Sequence, residues 1–250
     1  MSVHTFDTMG TIVSVRVDDE LGLVDLEAVR AVFQRYDGVY SLYDDASPLS
    51  RVAGGELQLA DTMPDVRETY AQALEWRNAT WGLSTPHRPD DVIDLSGLVK
   101  ALAIRDAGAV LDGLGAAWLL TVGGDCLSRI TPSTPTWRVG IVDPDDAAGL
   151  LGIATLDGSR RALATSGIAE RGDHIWSRNG RSHFVQATVL ADDIETADVL
   201  ATTIIAGLPG DLDRVTETWN VDVLVVDRDG EIRATPRAAE WVSRPTSVVG

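Results

Sequence analysis

Two hydrophobic periodicities follow one another along this chain, and their order constrains its fold more than any other feature. Alternating or continuous β-branched and apolar runs predict strands, whereas apolar residues spaced by three and four predict helices. The two kinds of segment are mixed without strict βαβ alternation, which favours an α+β fold. Residues 41–55 and 81–91 are rich in turn-forming residues and are predicted to be loops. The predicted strands span residues 10–17, 117–122, 137–142, 151–156, 161–165, 185–191, 221–227 and 231–235, and the predicted helices span residues 25–35, 65–79, 96–114, 197–207 and 211–219.

The composition is that of an ordinary globular protein. The chain has 250 residues, of which 44% are hydrophobic and 24% are charged, values that suit one large domain or two small ones. We expect a single domain over residues 1–240 and a C-terminal tail over residues 241–250. No membrane span is expected, since no run reaches eighteen consecutive apolar residues, and the N-terminus does not resemble a secretory signal. Cys126 is the only cysteine, so no internal disulfide can form, and we expect a cytoplasmic protein.

The charge balance restricts the partners of the protein. Its formal net charge is −17, which argues against nucleic-acid binding because that binding needs a basic surface. An anionic substrate would need local help from a metal ion, a helix N-terminus or a well-placed cation. Lys100, in the segment DLSGLVKALA, is the only lysine of the chain. It is therefore a candidate for such a cation.

The segment ETADVLATT, residues 195–203, places Asp198 and Thr202 four residues apart on a predicted buried helix. Side chains at this spacing lie on one face of a helix. One interpretation is local: Thr196 is the N-cap, Asp198 lies in the first turn, and Thr202 bonds back to a carbonyl one turn earlier. The other interpretation is a site for a hard cation, in which a carboxylate and a hydroxyl hold Mg²⁺.

Three glycine-marked segments are predicted to be turns next to strands. Glycine is common in turns because it adopts positive φ without strain. None of the segments is a phosphate loop, although backbone N–H groups and the N-terminus of the helix near Ser96 could still hold a nucleotide. The three segments are Met9-Gly10-Thr11, Gly123-Gly124-Asp125 and Thr165-Ser166-Gly167.

The sequence gives little support for a nucleophilic residue. Cys126 follows Asp125 and has no basic neighbour, so we expect a buried, unreactive thiol. Ser166 lies in TSG and not in a GxSxG elbow, which does not support a hydrolase triad. Among the four histidines, His174 follows a turn beside Arg171 and is the best candidate for a ligand contact, with a solvated loop position as the alternative.

Eight short motifs, taken in order, resemble those of the ApbE family of FAD:protein FMN transferases. The resemblance extends over residues 8–227 with matching order and spacing. The motifs are Met9–Thr11, SLYDDAS (41–47), DLSGLVK (94–100), VGGD (122–125), WRVGIVDP (137–144), ATSG (164–167), HI (174–175) and ADVLAT (197–202).

The resemblance implies a fold, a reaction and a set of site residues. The fold would be a single compact α+β domain, related to the T-fold, with mixed or antiparallel sheets flanked by helices. The reaction would be Mg²⁺-dependent transfer of FMN from FAD to a Thr of an acceptor protein, with release of AMP. Asp198, Thr202 and the backbone carbonyl of Gly97 would hold the metal ion, and Asp198 could also accept the hydroxyl proton. The residues that would contact FAD are Met9, Tyr43, Asp94, Lys100, Thr165, His174 and Ile175.

The sequence departs from the family pattern on the flavin side of this site. An Asn of the pattern is replaced by Ala53, and its G-x-F-D segment reads Gly-Leu-Ser-Thr at 82–85. A glycine is replaced by Ala101, an acid by Arg105, and the stretch after His174 is one residue shorter. Three interpretations follow: a cytoplasmic FMN transferase, a Mg²⁺-dependent FAD pyrophosphatase in which water replaces the acceptor Thr, or a non-catalytic flavin- or nucleotide-binding protein.

Overall fold

A computed structural model describes residues 1–19, 22–167 and 182–243 of the chain. Most of its strands join into an eight-stranded sheet, and the other three form a second sheet. The strands are β1 (Ser2–Thr8), β2 (Thr11–Val17), β3 (Trp118–Val122), β4 (Asp125–Arg129), β5 (Trp137–Val142), β6 (Leu150–Leu156), β7 (Ala162–Gly167), β8 (Phe184–Ala191), β9 (Asp222–Asp227), β10 (Ile232–Ala234) and β11 (Val242–Ser243). The helices are α1 (Leu23–Tyr40), α2 (Pro48–Ala53), α3 (Pro64–Ala79), α4 (Ser96–Asp112), α5 (Ile194–Ala206), α6 (Pro209–Thr218) and α7 (Pro236–Trp241), with a 3-10 turn at Leu59–Asp61.

The large sheet has the strand order β1-β2-β3-β4-β7-β8-β9-β10, and the small sheet has the order β11-β6-β5. All described strand pairs are antiparallel. Helices α1, α4 and α5 pack together over one face of the large sheet, whereas β5 and β6 pack on its other face. The predicted α+β class with antiparallel sheets flanked by helices is therefore confirmed.

Strand β3 shows why the large sheet is covered on both faces. Successive side chains of a strand point to opposite faces, and its sequence WLLTV is apolar at nearly every position. Trp118, Leu120 and Val122 lie in the core under the helices, while Leu119 lies in the second core under the small sheet. A continuous apolar run is the pattern expected of a strand buried on both sides.

Helices α4 and α5 bring the site residues to the centre of the fold. Helix α4 is rich in alanine and leucine, both strong helix formers. It lies over β3 and β4, and the missing side chain of Gly108 leaves room there for the side chains of Trp118 and Leu127. Helix α5 is buried along nearly its whole length, between α4 and strands β7 and β8. Polar side chains that face inward on these helices therefore lie close to the sheet and away from bulk water.

The structure corrects several predicted elements. Strands β1 and β4 are additional to the predicted ones, and the predicted loop at 41–55 contains helix α2. Strand β1 is an edge strand with one buried side chain, Phe6. Strand β4 mixes polar Asp125 and Ser128 with apolar residues, and α2 is only six residues long, so neither shows a clear hydrophobic period. Helix α1 extends beyond the predicted 25–35 at both ends.

The end of the described chain is ordered as α7 followed by β11, which pairs with β6. The domain boundary predicted at residue 240 stays a prediction. Within the described ranges, no helix has both the length and the apolar character needed to cross a bilayer.

Candidate functional site

A buried cluster of three charged side chains lies where α4 and α5 meet the large sheet. Lys100 of α4 forms an ion pair with Asp125 at the start of β4, and its Nζ lies 3.7 Å from Oδ1 of Asp198 on α5. Both carboxylates are 0% exposed, and the lysine side chain is 17% exposed. Two carboxylates against one ammonium give this cluster a formal charge of −1, which favours the approach of a cation.

Helix α5 presents Asp198 and Thr202 to this cluster from one face. The hydroxyl of Thr202 lies 3.1 Å from the hydroxyl of Ser166, near the end of β7. The next residue, Thr203, instead donates to the carbonyl of Val199 at 2.7 Å. The predicted back-bond from Thr202 is therefore wrong: the Thr202 hydroxyl contacts Ser166, and it is Thr203 that bonds back to a carbonyl.

The local interpretation of Asp198 is also corrected. The N-cap of α5 is Asp193, not the predicted Thr196, and its carboxylate accepts from the Thr196 N–H at 2.8 Å. Helix α5 thus begins earlier than predicted, and Asp198 lies beyond its first turn. A role for Asp198 in capping or in the first-turn dipole does not explain a fully buried carboxylate at that position.

The three glycine-marked segments lie close together, but only two of them are turns. Met9 and Gly10 form the two-residue turn between β1 and β2, with φ of 48° and 70°. Positive φ at both central positions is what a type I′ hairpin turn requires. Gly123, with φ of 59°, donates its N–H to the carbonyl of Ile12 at 3.2 Å. The third segment, residues 165–167, belongs to strand β7, so the prediction of a turn there is wrong.

Asp125 joins the second segment to the third. Its Oδ1 accepts from the backbone N–H of Thr165 at 3.1 Å, while its Oδ2 meets Lys100. The Thr165 hydroxyl lies 3.0 Å from the hydroxyl of Thr188 on β8. Lys100 thus lies near Asp198 and is linked to Thr165 through Asp125, and Thr202 contacts Ser166, the residue after Thr165.

Asp125 and Ser166 are site residues that sequence reasoning missed. Both lie in motifs that the sequence analysis singled out, VGGD and ATSG, but neither received a role there. The sequence signal for both residues was their position beside a glycine at the end of a predicted strand. Sequence alone could not show that β4 and β7 are neighbours in the sheet, with Cys126 opposite Leu163.

The N-terminus of α4 carries two further predicted residues. Asp94 accepts from the N–H of Ser96 at 2.9 Å, a local contact that stabilises the start of the helix. Gly97 lies one turn before Lys100, and a Cβ built on it would meet no atom within 4 Å. The space beside Gly97 is therefore open to a ligand.

Of the four remaining predicted flavin contacts, the structure describes Met9 and Tyr43. Met9 is half-buried at the first hairpin turn and packs against the main core. Tyr43 lies in the loop between α1 and α2 and is 93% exposed. His174 and Ile175 lie outside the described residues. These four assignments stay predictions.

Three of the positions where the sequence departs from the family pattern make contacts within the fold, while Ala53 is exposed. Ala101 and Leu83 are buried, and Arg105 of α4 forms an ion pair with Glu195 of α5 at 3.4 Å. Glu195 also accepts from the indole N–H of Trp76 at 2.5 Å, which ties α3 to the same pair of helices. These substitutions therefore support the arrangement of the helices that position the cluster.

Cys126 is not a candidate nucleophile. It is buried on β4, and burial, with a smaller contribution from Asp125, raises the pKa of its thiol to about 12. A thiol with this pKa is almost entirely protonated at neutral pH. The expectation that Cys126 is buried is confirmed, and its low reactivity stays a prediction.

The oxygens of the cluster suit a hard cation. Asp198 offers a buried carboxylate, and Thr202, one turn further along α5, offers a hydroxyl group that contacts the hydroxyl of Ser166. Mg²⁺ binds few protein oxygens and takes the rest of its ligands from water and substrate phosphates. Across the described residues, no three His, Cys, Asp or Glu side chains group as a metal cluster, so a site here would combine one carboxylate with hydroxyl and carbonyl oxygens.

Comparison with known proteins gives a consistent result. A model of the ApbE family matches residues 84–225, more than half of the chain. Among curated proteins, none matches the sequence.

Three solved structures have a similar fold. The ApbE protein from Thermotoga maritima is 16% identical, with 97% of this chain and 99% of that chain covered and a TM-score of 0.80. The flavin transferase ApbE from Vibrio cholerae is 18% identical, with 96% and 98% covered and a TM-score of 0.77. The flavinyl transferase ApbE from Pseudomonas stutzeri, in its apo form, is 19% identical, with 97% and 98% covered and a TM-score of 0.75.

Proposed function

The chain belongs to the ApbE family, and we propose that it transfers FMN from FAD to a threonine of an acceptor protein in a Mg²⁺-dependent reaction that releases AMP. One observation carries the proposal. Motif residues separated by as many as 102 positions (Lys100 to Thr202) meet in one small, mostly buried cluster. A purely structural role for each motif would not require this convergence of a cation, carboxylates and hydroxyls.

The metal ligands in this proposal are Asp198, Thr202 and the backbone carbonyl of Gly97. The charge of the cluster and the hard oxygens of α5 support the assignment. A pyrophosphate carries about two negative charges, and a protein with a net charge of −17 must offset them locally. When bound, Mg²⁺ would supply that offset and polarise the phosphoryl oxygens.

The flavin donor would lie across the N-terminus of α4. Met9, Tyr43, Asp94, Lys100, Thr165, His174 and Ile175 are the proposed FAD contacts. The backbone N–H groups at a helix N-terminus favour phosphate groups, and Lys100 places the one lysine of the chain on the same helix. The family assignment supports FAD as substrate, and the net charge of −17 argues against nucleic acid.

The proposed reaction is a single phosphoryl transfer. The hydroxyl oxygen of the acceptor Thr forms a bond to the FMN-side phosphorus of FAD, and the bond from that phosphorus to the bridging oxygen breaks. AMP leaves with the bridging oxygen, and Asp198 accepts the hydroxyl proton. Reactions of this type depend on positioning and charge stabilisation more than on covalent catalysis. Burial of Asp125 and Asp198 supports this, because fixed charges act more strongly where water is excluded.

Measurement of AMP release tests the proposal. The protein is incubated with FAD and MgCl₂, with and without a Thr-bearing candidate acceptor protein, and AMP is quantified by chromatography. AMP that appears only with acceptor supports the transferase. AMP in its absence indicates a pyrophosphatase, and bound flavin without AMP indicates a binding protein; either result would contradict the proposal.

Two aspartates of the same helix region provide a matched pair of variants. Asp198→Asn removes the proposed ligand and should lower Mg²⁺-dependent AMP release about a hundredfold or more. Asp193→Asn retains an oxygen for the Thr196 N–H and should leave release within about twofold of wild type, since Asn caps helices as well as Asp does. Equal losses in both variants would contradict the assignment of Asp198.

A further inference from the structure

Asp125 contacts both Lys100 and the backbone of β7 but has no ligand role in the proposed function. It lies at the start of β4, is 0% exposed, and uses its two oxygens for different partners. One accepts the Thr165 N–H at 3.1 Å, and the other meets the Lys100 ammonium. Its position is therefore fixed by the strand, by β7 and by α4.

Lys100 lies between two buried carboxylates and is closer to Asp125 than to Asp198. Its Nζ is in direct contact with Asp125, whereas Oδ1 of Asp198 is 3.7 Å away. At that distance the ammonium needs only a small change of its flexible side chain to reach Asp198. An ammonium in direct contact with Asp198 would compete with any other cation for that carboxylate.

We propose that Asp125 is a positioning residue: it is the counter-ion that holds the Lys100 ammonium at a distance from Asp198, so that a divalent cation rather than the ammonium binds that carboxylate. The inference rests on the proposed metal role of Asp198 and adds the residue that controls access to it. Loss of the Asp125 charge leaves Asp198 as the nearest buried partner of Lys100 within this cluster. The ammonium then moves toward Asp198, and the affinity for the metal falls.

A double-mutant cycle distinguishes this mechanism from a simple change in net charge. The variants are Asp125→Asn, which retains an oxygen for the Thr165 N–H, Lys100→Met, which removes the charge and keeps a long unbranched side chain, and the two combined. If net charge alone decided the affinity for the metal ion, Asp125→Asn would weaken metal binding by the same factor whether position 100 is Lys or Met. The two substitutions would then be additive. If Asp125 acts by holding the ammonium, its effect depends on the presence of Lys100.

The readout is Mn²⁺ binding to the full chain without flavin, measured by titration calorimetry or electron paramagnetic resonance. We expect Asp125→Asn to weaken Mn²⁺ binding about tenfold or more when Lys100 is present, and less than about threefold in the Lys100→Met background. Equal fold-changes in the two backgrounds, or no weakening when Lys100 is present, would overturn the inference.

A further variant separates this inference from the proposed function. Asp198→Asn should abolish Mn²⁺ binding. If wild type binds no Mn²⁺, or if Asp198→Asn leaves binding intact, the metal assignment fails and this inference fails with it. If Asp198→Asn abolishes binding but the cycle is additive, only this inference fails.

Asp222→Asn is the stability control, because Asp222 is also a buried carboxylate in an ion pair. Its partner is Arg160, whose guanidinium also contacts Asp192 and Asn220. Asp222→Asn should lower the melting temperature and leave Mn²⁺ affinity unchanged. Weakened Mn²⁺ binding in Asp222→Asn to the same degree as in Asp125→Asn would assign the effect to stability and overturn the inference.

Discussion

Two adjacent threonines of α5 offer a test in which stability and function separate. Thr202 faces Ser166 in the cluster, with the two hydroxyls 3.1 Å apart, whereas Thr203 donates to the Val199 carbonyl at 2.7 Å. Substitution by Val keeps the β-branched shape and removes one hydrogen bond in each case. A hydrogen bond of this kind contributes about 1 kcal/mol, so both variants should lose similar stability, equivalent to about 2–4 °C in melting temperature for a chain of this size.

The functional effects of the two substitutions should differ. Thr202→Val removes a proposed metal ligand and should lower AMP release about tenfold to a hundredfold, with a higher Mg²⁺ concentration needed for half-maximal rate. Thr203→Val should retain the wild-type rate within about twofold, because its hydroxyl does not face the cluster. The assay is AMP release from FAD across a Mg²⁺ titration, with melting temperatures measured in parallel. Equal rates in the two variants would refute the assignment of Thr202.

Three further predictions concern the scaffold. In the wild-type protein the guanidinium of Arg160 lies 2.7 Å from the buried carboxylate of Asp222. Arg160→Met removes this cation and should lower the free energy of unfolding, measured by chemical denaturation, by about 3–5 kcal/mol. Gly108→Ala places a Cβ 3.0 Å from the ring of the buried Trp118. The overpacking should cost about 1–3 kcal/mol of stability, against a gain of about 1 kcal/mol from the higher helix propensity of alanine. We therefore expect a lower melting temperature. Because the pKa of Cys126 rises from 9.0 to about 12 on folding, the folded protein at pH 8 should react with a thiol reagent far more slowly than the denatured chain; comparable rates would contradict a buried thiol.

The fold was predictable where the hydrophobic pattern is long and strong. Helices α3 and α4 and strands β3, β5 and β9 lie within a few residues of their predicted bounds. Strand β1 and helix α2 were missed because each has only one buried apolar side chain, and β4 because polar Asp125 and Ser128 interrupt its apolar residues. Strand β4 is the costly omission, since it carries Asp125.

The site was predictable as a set of residues but not as an arrangement. The spacing of Asp198 and Thr202 predicts that they share one helix face, and the structure places them so. Sequence spacing could not reveal that Ser166 lies opposite Thr202 or that Asp125 holds Lys100, because those contacts depend on the pairing of β4 with β7. The N-cap was misplaced because Asp193 and Thr196 are both good caps, and only the backbone decides between them.

The most direct test of the proposed function is the stoichiometry of the products. A candidate acceptor protein, and the same protein with its target Thr replaced by Val, are incubated with this protein, FAD and MgCl₂. Intact-mass spectrometry measures FMN bound covalently to the acceptor, and chromatography measures AMP. We predict equal molar amounts of bound FMN and AMP with the Thr acceptor, and neither product with the Val acceptor or after chelation of Mg²⁺. AMP released without covalent FMN, or transfer that persists after chelation, would contradict the account.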